Sequence, residues 1–214
     1  MTVPNLKTIA GGRLIAFEGI DGAGKTTQAR RAVEALQQEG YDAVLLREPT
    51  DGPHGRRLRE IMVAGRDQVD PMEELRLFLD DRRDDVERNI RPALDRGAIV
   101  CIDRYYISSI AYQGALGIDP VFIRRENESF APVPDLILYF RLPVQQGLGR
   151  IAASRTTGQN LFERADYQER VRAIFESLDF DCLVPVDASA TPDEVHEQVM
   201  RAIRGVLYRS VQKS

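Results

Sequence analysis

Short apolar runs alternate along the chain with longer stretches in which apolar residues recur every three to four positions. The short runs have the length of buried strands, and the longer stretches between them carry helical periodicity rather than hairpin turns. This alternation is typical of an α/β fold, in which helices cover both faces of a parallel sheet. The predicted strands are residues 13–18, 43–46, 98–102, 136–140 and 183–186.

The same pattern predicts where several helices begin and end. Residues 25–39 carry apolar side chains on one helical face, and Gly40 is expected to end that helix. Asp70 and Thr191 are each followed by proline and, three positions after the cap, by glutamate. Because this is the pattern of a helix N-cap, we expect further helices to begin at residues 71 and 192.

A single domain accounts for all of these elements. The length of 214 residues fits one domain, which we place at residues 13–214 after a loose leader at residues 1–12. Residues 154–160 are polar, contain glycine and lack clear periodicity. We expect them to form most of a mobile lid at about residues 154–162.

Composition narrows the class of protein. Hydrophobic residues make up 43% of the chain and charged residues 29%, which excludes fibrous and wholly disordered proteins. The longest apolar runs are far shorter than the roughly 20 residues of a membrane helix. A net charge of -4 argues against a general nucleic-acid or anionic-membrane surface. With two cysteines and no signal-peptide pattern, we expect a cytoplasmic enzyme without nucleic-acid or membrane partners.

The segment after the first strand matches the phosphate-loop pattern G-x-x-x-x-G-K-[ST] and opens the first helix. Glycines in such a loop let backbone amides turn toward phosphate oxygens, and the helix N-terminus adds positive potential. Lys25 would reach the β- and γ-phosphates, and Thr26 would offer its hydroxyl to Mg²⁺. A glycine-rich turn that binds nothing is the alternative. The predicted ATP-binding residues are Gly19, Ile20, Asp21, Gly22, Ala23, Gly24, Lys25, Thr26 and Thr27.

A second chemical signal follows the third predicted strand. Asp103 and Arg104 come at its end, and doubly wound folds bind their ligands at this edge of the sheet. The segments FEGIDGAGKTTQ, REP, LFxxDR, DRYxxSSxAYQG, PDLxLYF and GLxRI occur in this order over residues 14–178. In these segments the chain strongly resembles the bacterial type of the thymidylate kinase family, which transfers the γ-phosphoryl group of ATP to dTMP. The resemblance implies a P-loop NTPase fold with a five-stranded parallel sheet and a short lid, Mg²⁺ as cofactor, ATP and dTMP as substrates, and a homodimer.

The resemblance also implies roles in an acceptor site. Arg59 and Arg104 would bind the phosphate of dTMP. Phe78 would stack on the thymine ring, and Arg82 would hydrogen-bond a base oxygen. The i, i+4 spacing independently puts Phe78 and Arg82 on one helix face, although a core position is the alternative for Phe78. The other predicted dTMP-binding residues are Asp21, Glu48, Pro49, Ser109, Tyr112 and Gln113.

The predicted catalytic groups are those that neutralise and align a phosphoryl group in transit. Gly22 stands where some members of the family carry an arginine in the phosphate loop, so we expect a lid cation instead. Arg155 is the candidate for that cation, and Arg150 is the alternative. The predicted catalytic residues are Lys25, Asp103, Arg104 and Arg155, and the predicted metal ligands are Asp21, Thr26 and Asp103.

The sequence departs from the family pattern near the acceptor site and leaves other functions open. Asp84 and Asp85 replace the usual Gln-His, and Thr50 and Asp51 follow Arg-Glu-Pro where glycines are common. A deoxynucleoside kinase of the same fold would need a carboxylate beside the sugar hydroxyl, and Glu48 could serve. Another nucleoside monophosphate kinase is also possible. A nucleotide-sensing protein without activity would lack the acceptor arginines.

Overall fold

The computed structural model describes residues 6–65, 69–154 and 161–211, and it confirms the predicted alternation of strands and helices. The strands are β1 (Arg13–Glu18), β2 (Ala43–Arg47), β3 (Ile99–Asp103), β4 (Leu136–Arg141) and β5 (Leu183–Asp187). The helices are α1 (Lys25–Gln38), α2 (Pro53–Ala64), α3 (Pro71–Asp85), α4 (Arg91–Asp95), α5 (Tyr106–Gly114), α6 (Pro120–Glu128), α7 (Val144–Ser154), α8 (Leu161–Ser177) and α9 (Pro192–Val211).

The five strands form one parallel sheet in the order β2-β3-β1-β4-β5. β1 lies in the centre, where Phe17 is in register with Asp103 of β3 and with Leu138 of β4. The chain leaves β1 toward β2 and later returns to the other side of β1, so the strand order switches there. Crevices at such a switch point, beyond the carboxyl ends of the strands, are where open α/β sheets bind ligands.

Helices cover both faces of the sheet. Every residue of β3 is buried, and so is every residue of β1 after Arg13. Because successive side chains of a strand point to opposite faces, burial along the whole strand requires a cover on each side. α1 packs on β1, β2 and β3, and α9 packs on β4, β5 and α1, while α3, α6 and α8 pack around α5. The predicted α/β fold is confirmed.

The predicted helix ends also hold. Gly40 has a φ of 87° and follows the last turn of α1, a conformation that glycine adopts without strain. The carboxylate of Asp70 accepts hydrogen bonds from the amides of Met72 and Glu73, which caps α3 at the predicted position. α3 then continues through a π-helical turn, Val86–Ile90, into α4.

Part of the predicted leader is attached to the body. The amide of Lys7 donates to the carbonyl of Gly40, and its own carbonyl accepts from the amide of Asp42. The amide of Ile9 donates to the carbonyl of Gly97. Residues 1–5 and most of the predicted lid, residues 155–160, lie outside the described residues. Within the described ranges, no helix combines the length and the apolar character needed to cross a bilayer.

Candidate active site

The phosphate loop connects β1 to α1 through backbone conformations that glycine allows. Gly19, Gly22 and Gly24 have φ values of 143°, 78° and 88°. A side chain at Gly22 would collide with the backbone of Gly147 in α7, so the loop has no room for a residue with a Cβ there. The absence of an arginine at this position therefore has a steric reason as well.

Lys25 begins α1 and is nearly buried, with 5% of its surface exposed. Its ammonium group donates to the carbonyl of Ile20 over 2.7 Å and so lies across the phosphate loop. Burial, together with the smaller effect of the positive charge of Arg104, lowers the pKa of Lys25 to about 7. The free protein thus holds a lysine whose charged form would be favoured by anionic phosphates.

Thr26 and Asp103 bring two oxygen ligands together below the loop. The hydroxyl of Thr26 donates to Oδ2 of Asp103 over 2.5 Å, and Asp103 is 3% exposed at the end of β3. Among the described residues, no three histidine, cysteine, aspartate or glutamate side chains cluster as metal ligands. Mg²⁺ bound with a nucleotide uses one or two protein oxygens, with phosphates and water as the other ligands. The Thr26–Asp103 pair fits that kind of site.

Arg104 is held at the centre of the site by several acceptors. Its φ of 69° is in the left-handed region, which is uncommon for residues other than glycine. The guanidinium donates to Oδ1 of Asp21 over 2.5 Å, to the hydroxyls of Ser108 and Tyr112 over 3.0 and 3.2 Å, and to the carbonyl of Gly19 over 3.3 Å. It also lies 4.9 Å from the centroid of the Tyr112 ring. Arg104 therefore links the phosphate loop to α5.

Glu18 holds Tyr105 and Ser108, which lie next to Arg104 in the chain or contact it, and sequence reasoning missed this role. Its carboxylate is fully buried and accepts from the amide of Tyr105 over 2.8 Å and from the hydroxyl of Ser108 over 2.5 Å. Burial raises the pKa of Glu18 to about 7, although the Ser108 hydrogen bond and the charge of Arg104 act in the opposite direction. Glu18 ends the predicted strand 13–18, but nothing in the sequence identifies Tyr105 and Ser108 as the partners of its carboxylate.

The carboxylate of Asp21 is shared between the loop and two helices. Besides Arg104, it accepts from the Tyr112 hydroxyl over 3.1 Å and from the amide group of Gln168 over 3.3 Å. Gln168 lies on α8, is 3% exposed, and also accepts from the amide of Asp21 over 3.4 Å. Sequence reasoning missed Gln168. The predicted role of Asp21 toward a metal stays a prediction.

A second, buried part of the site surrounds Arg82 on α3. Its guanidinium is 1% exposed and donates twice to Glu48 at the end of β2, over 2.5 and 2.8 Å. It also donates to Asn127 of α6 over 2.5 Å and to the hydroxyl of Ser109 over 3.2 Å. These hydrogen bonds use four of the five N–H donors of a guanidinium. Asn127 is another residue that sequence reasoning missed.

Buried polar atoms of Gln113 on α5 and of Glu48, the partner of Arg82, lack hydrogen-bond partners in the part of the chain that the structure describes. Both side-chain polar atoms of Gln113 are in this state, although the residue has no exposed surface. The same holds for Oε1 of Glu48, whose pKa is raised by burial against the opposing effect of Arg82. Unsatisfied polar groups are costly in a protein interior. They indicate a pocket that a polar ligand or water completes.

The remaining predicted acceptor residues lie on the neighbouring elements. Phe78 is half-buried on α3, and in the described residues it is not among the hydrophobic side chains that pack against the core. This argues against the alternative of a core position. Arg59 of α2 donates to the carbonyls of Pro49 and Thr50 over 3.0 and 2.6 Å and forms an ion pair with Asp51.

Most of the predicted lid falls outside the described residues. Arg155 lies outside the described residues, so its predicted contact with a transferred phosphoryl group stays a prediction. Arg150, the alternative cation on α7, donates to the carbonyl of Ala188 over 3.0 Å and to that of Gly22 over 3.5 Å. Its guanidinium therefore lies between the phosphate loop and the end of β5.

Comparison with known proteins identifies the family to which the chain belongs. The family model for thymidylate kinase matches residues 17–199. A thymidylate kinase of Desulfotalea psychrophila is 44% identical over 92% of this chain and 96% of its own length. One of Xanthomonas campestris is 47% identical over 92% of this chain and 85% of its own, and one of Akkermansia muciniphila is 44% identical over 90% and 91%. This chain belongs to the thymidylate kinase family.

Proposed function

We propose that this protein transfers the γ-phosphoryl group of ATP to dTMP and forms dTDP. The observation that carries the proposal is the position of Arg104, which joins the phosphate loop to α5, the helix whose Ser109 contacts the buried Arg82. Two substrates bound on its two sides would meet at one guanidinium. The acceptor is a monophosphate, whose phosphate Arg59 and Arg104 would bind.

ATP would be bound mainly by the phosphate loop and the N-terminus of α1. Lys25 would leave the Ile20 carbonyl for the phosphate oxygens, and its charge would follow the phosphoryl group during transfer. Thr26 and Asp103 would hold Mg²⁺, which when bound supplies charge neutralisation at the phosphates. Arg155 would add a further positive charge from the lid.

The acceptor side would select the base through buried polar contacts. Phe78 presents a half-buried ring for stacking, and Gln113, Ser109 and Arg82 would offer hydrogen-bonding groups to the base. A phosphate oxygen of dTMP is already anionic, so transfer needs no strong general base. Glu48 is ion-paired with Arg82, which favours a structural and positioning role over that of a base acting on a sugar hydroxyl.

The test is a panel of acceptors with ATP and Mg²⁺. dTMP, dUMP, dAMP and thymidine are supplied one at a time, and nucleoside diphosphate or monophosphate product is measured. We expect dTMP to give the highest kcat/KM and thymidine to give no product. Preference for thymidine would instead support a deoxynucleoside kinase, and no turnover with any acceptor would support a nucleotide-sensing protein. The Lys25→Ala variant, purified in the same way, controls for contaminating kinases.

We also propose that the protein forms a homodimer, as the family resemblance implies. Sedimentation of the purified protein at several concentrations would measure it. A mass near twice 24.1 kDa is expected, and a monomer at all concentrations would contradict it.

A further inference from the structure

The loop at residues 49–52, where the sequence replaces glycines by Thr50 and Asp51, is fixed by a buried carboxylate. The amide of Thr50 donates to Oδ2 of Asp81 over 2.8 Å, and the hydroxyl of Thr50 donates to Oδ1 over 2.6 Å. Asp81 lies on α3 and is 2% exposed. Both of its carboxylate oxygens therefore hold one residue of the loop.

Burial of the Asp81 carboxylate is energetically unfavourable unless hydrogen bonds compensate it. Its negative charge raises the pKa of the neighbouring carboxyls of Glu48 and Asp85, adding to the larger effect of their burial. Within the described ranges, the hydrogen bonds that Asp81 accepts come from Thr50. A buried charge is tolerated when hydrogen bonds compensate it. Here the compensating hydrogen bonds come from the loop and not from the core.

The same loop holds Arg59. The carbonyl of Thr50 accepts from Nη1 of Arg59 over 2.6 Å, and the carbonyl of Pro49 accepts from the same nitrogen over 3.0 Å. Gly55 approaches Thr50 so closely that a Cβ on it would overlap the Thr50 carbonyl, which leaves that carbonyl little freedom to move. A long arginine side chain gives up substantial rotamer entropy when it is ordered.

We propose that Asp81 is a positioning residue for the acceptor site. Acting through Thr50, it fixes residues 49–52 and so orders the guanidinium of Arg59 before an anionic acceptor arrives. Ordering a binding group in advance strengthens binding because the ordering entropy is not lost on association. The inference rests on the proposed function, because it takes the phosphate of dTMP as the anion that Arg59 binds.

Asp51 provides a contrast within the same loop. It forms an ion pair with Arg59 over 2.9 Å, but its side chain is fully exposed. Exposed ion pairs contribute little to stability. Asp51→Asn is therefore expected to change KM for dTMP by less than about twofold, the range of a weak exposed pair.

The experiment compares Thr50→Val, which removes the hydroxyl at nearly constant shape, with Thr50→Ser, which keeps it. We expect Thr50→Val to raise KM for dTMP roughly five- to tenfold, the factor that corresponds to the loss of one net hydrogen bond. KM for ATP and kcat should stay near those of the unaltered protein, and Thr50→Ser should restore KM. Equal changes in both substrates, or an Asp51→Asn effect as large as that of Thr50→Val, would overturn the proposal.

Two further measurements separate positioning from a general loss of structure. In an Arg59→Ala background, Thr50→Val should cause no additional rise in KM, whereas a merely structural effect would add. In the free protein, NMR relaxation of the Arg59 Nε group should show a more mobile side chain in Thr50→Val than in Thr50→Ser. Equal mobility would overturn the proposal even if dTMP proved not to be the acceptor. The rate of the unaltered protein with dTMP tests the proposed function separately.

Discussion

The donor and acceptor sides of the site are built in different ways. The donor side is mainly one contiguous segment, residues 19–26, whose backbone and whose side chains of Lys25 and Thr26 would provide most of the proposed phosphate and metal contacts. The acceptor side is built from side chains of four separate segments: Glu48 directly after β2, Arg82 of α3, Ser109 of α5 and Asn127 of α6.

The two sides therefore differ in which property a substitution affects. Backbone amides of a glycine loop bind phosphate without any one side chain being essential to the fold. A buried network of charged side chains depends on every partner, because removal of one leaves the others unsatisfied. We therefore expect substitutions on the donor side to reduce turnover and substitutions on the acceptor side to reduce stability or acceptor binding.

The largest expected effect is on stability and comes from Arg82. Arg82→Ala would leave the buried carboxylate of Glu48 without its ion-pair partner, at a cost of about 3–5 kcal/mol in the free energy of unfolding. Urea denaturation would measure the loss. The double variant Arg82→Met with Glu48→Leu removes both charges and should recover much of the stability. A single variant as stable as the unaltered protein would show that the network does not hold the acceptor side together.

Lys25 tests the donor side. Lys25→Ala should lower kcat by about 10²- to 10³-fold, because it removes a charge that stabilises the transferring phosphoryl group. Thermal unfolding should change little, since the substitution also removes a lysine whose charged form is disfavoured by burial. Steady-state kinetics and calorimetric binding of dTMP would be compared. If turnover stayed near normal, the assignment of the phosphate loop would be wrong.

A substitution of Phe78 tests the acceptor side without changing the charged network around Arg82. Phe78→Ala should weaken dTMP binding by about 1–3 kcal/mol, the usual contribution of stacking a base on an aromatic ring. KM for ATP should stay unchanged. Phe78→Tyr, which keeps the ring, is the matched variant and should bind dTMP normally. A drop in thermal stability with equal effects on both substrates would instead mean that Phe78 is a packing residue.

The smallest effect concerns pH on the donor side. Burial lowers the pKa of Lys25 to about 7, so in the free protein this lysine loses its charge as the pH rises through 7. ATP favours the charged form, so binding above pH 7 takes up a proton and its affinity falls by up to about tenfold per pH unit. Calorimetry in two buffers of different ionisation enthalpy would detect the uptake.

Glu18 is the control for that measurement, because its pKa is also near 7 and it influences Lys25. Lys25→Met should abolish the proton uptake, and Glu18→Gln should retain it. The reverse result would identify Glu18 as the group that takes up the proton.

Some features of the site follow from the sequence because they are local. The phosphate loop is contiguous, so its pattern identifies Lys25 and Thr26 without any knowledge of the fold. Strand and helix positions follow from periodicity, and this is why Asp103 and Arg104 were expected at the carboxyl edge. The resemblance to one family then implied roles for Arg59, Phe78 and Arg82.

Other features were decided by tertiary structure because they join residues far apart in the chain. Asn127 is 45 positions from Arg82, and Gln168 is 147 positions from Asp21. An Asn or a Gln on a helix has no local pattern that identifies its partner, and burial of Glu18 depends on the helices packed over β1. Periodicity and a local motif thus predict the order of the elements and the phosphate loop. The partners of the buried polar groups emerge from the packing of the elements, because hydrogen bonds in a low-dielectric interior depend on position in space.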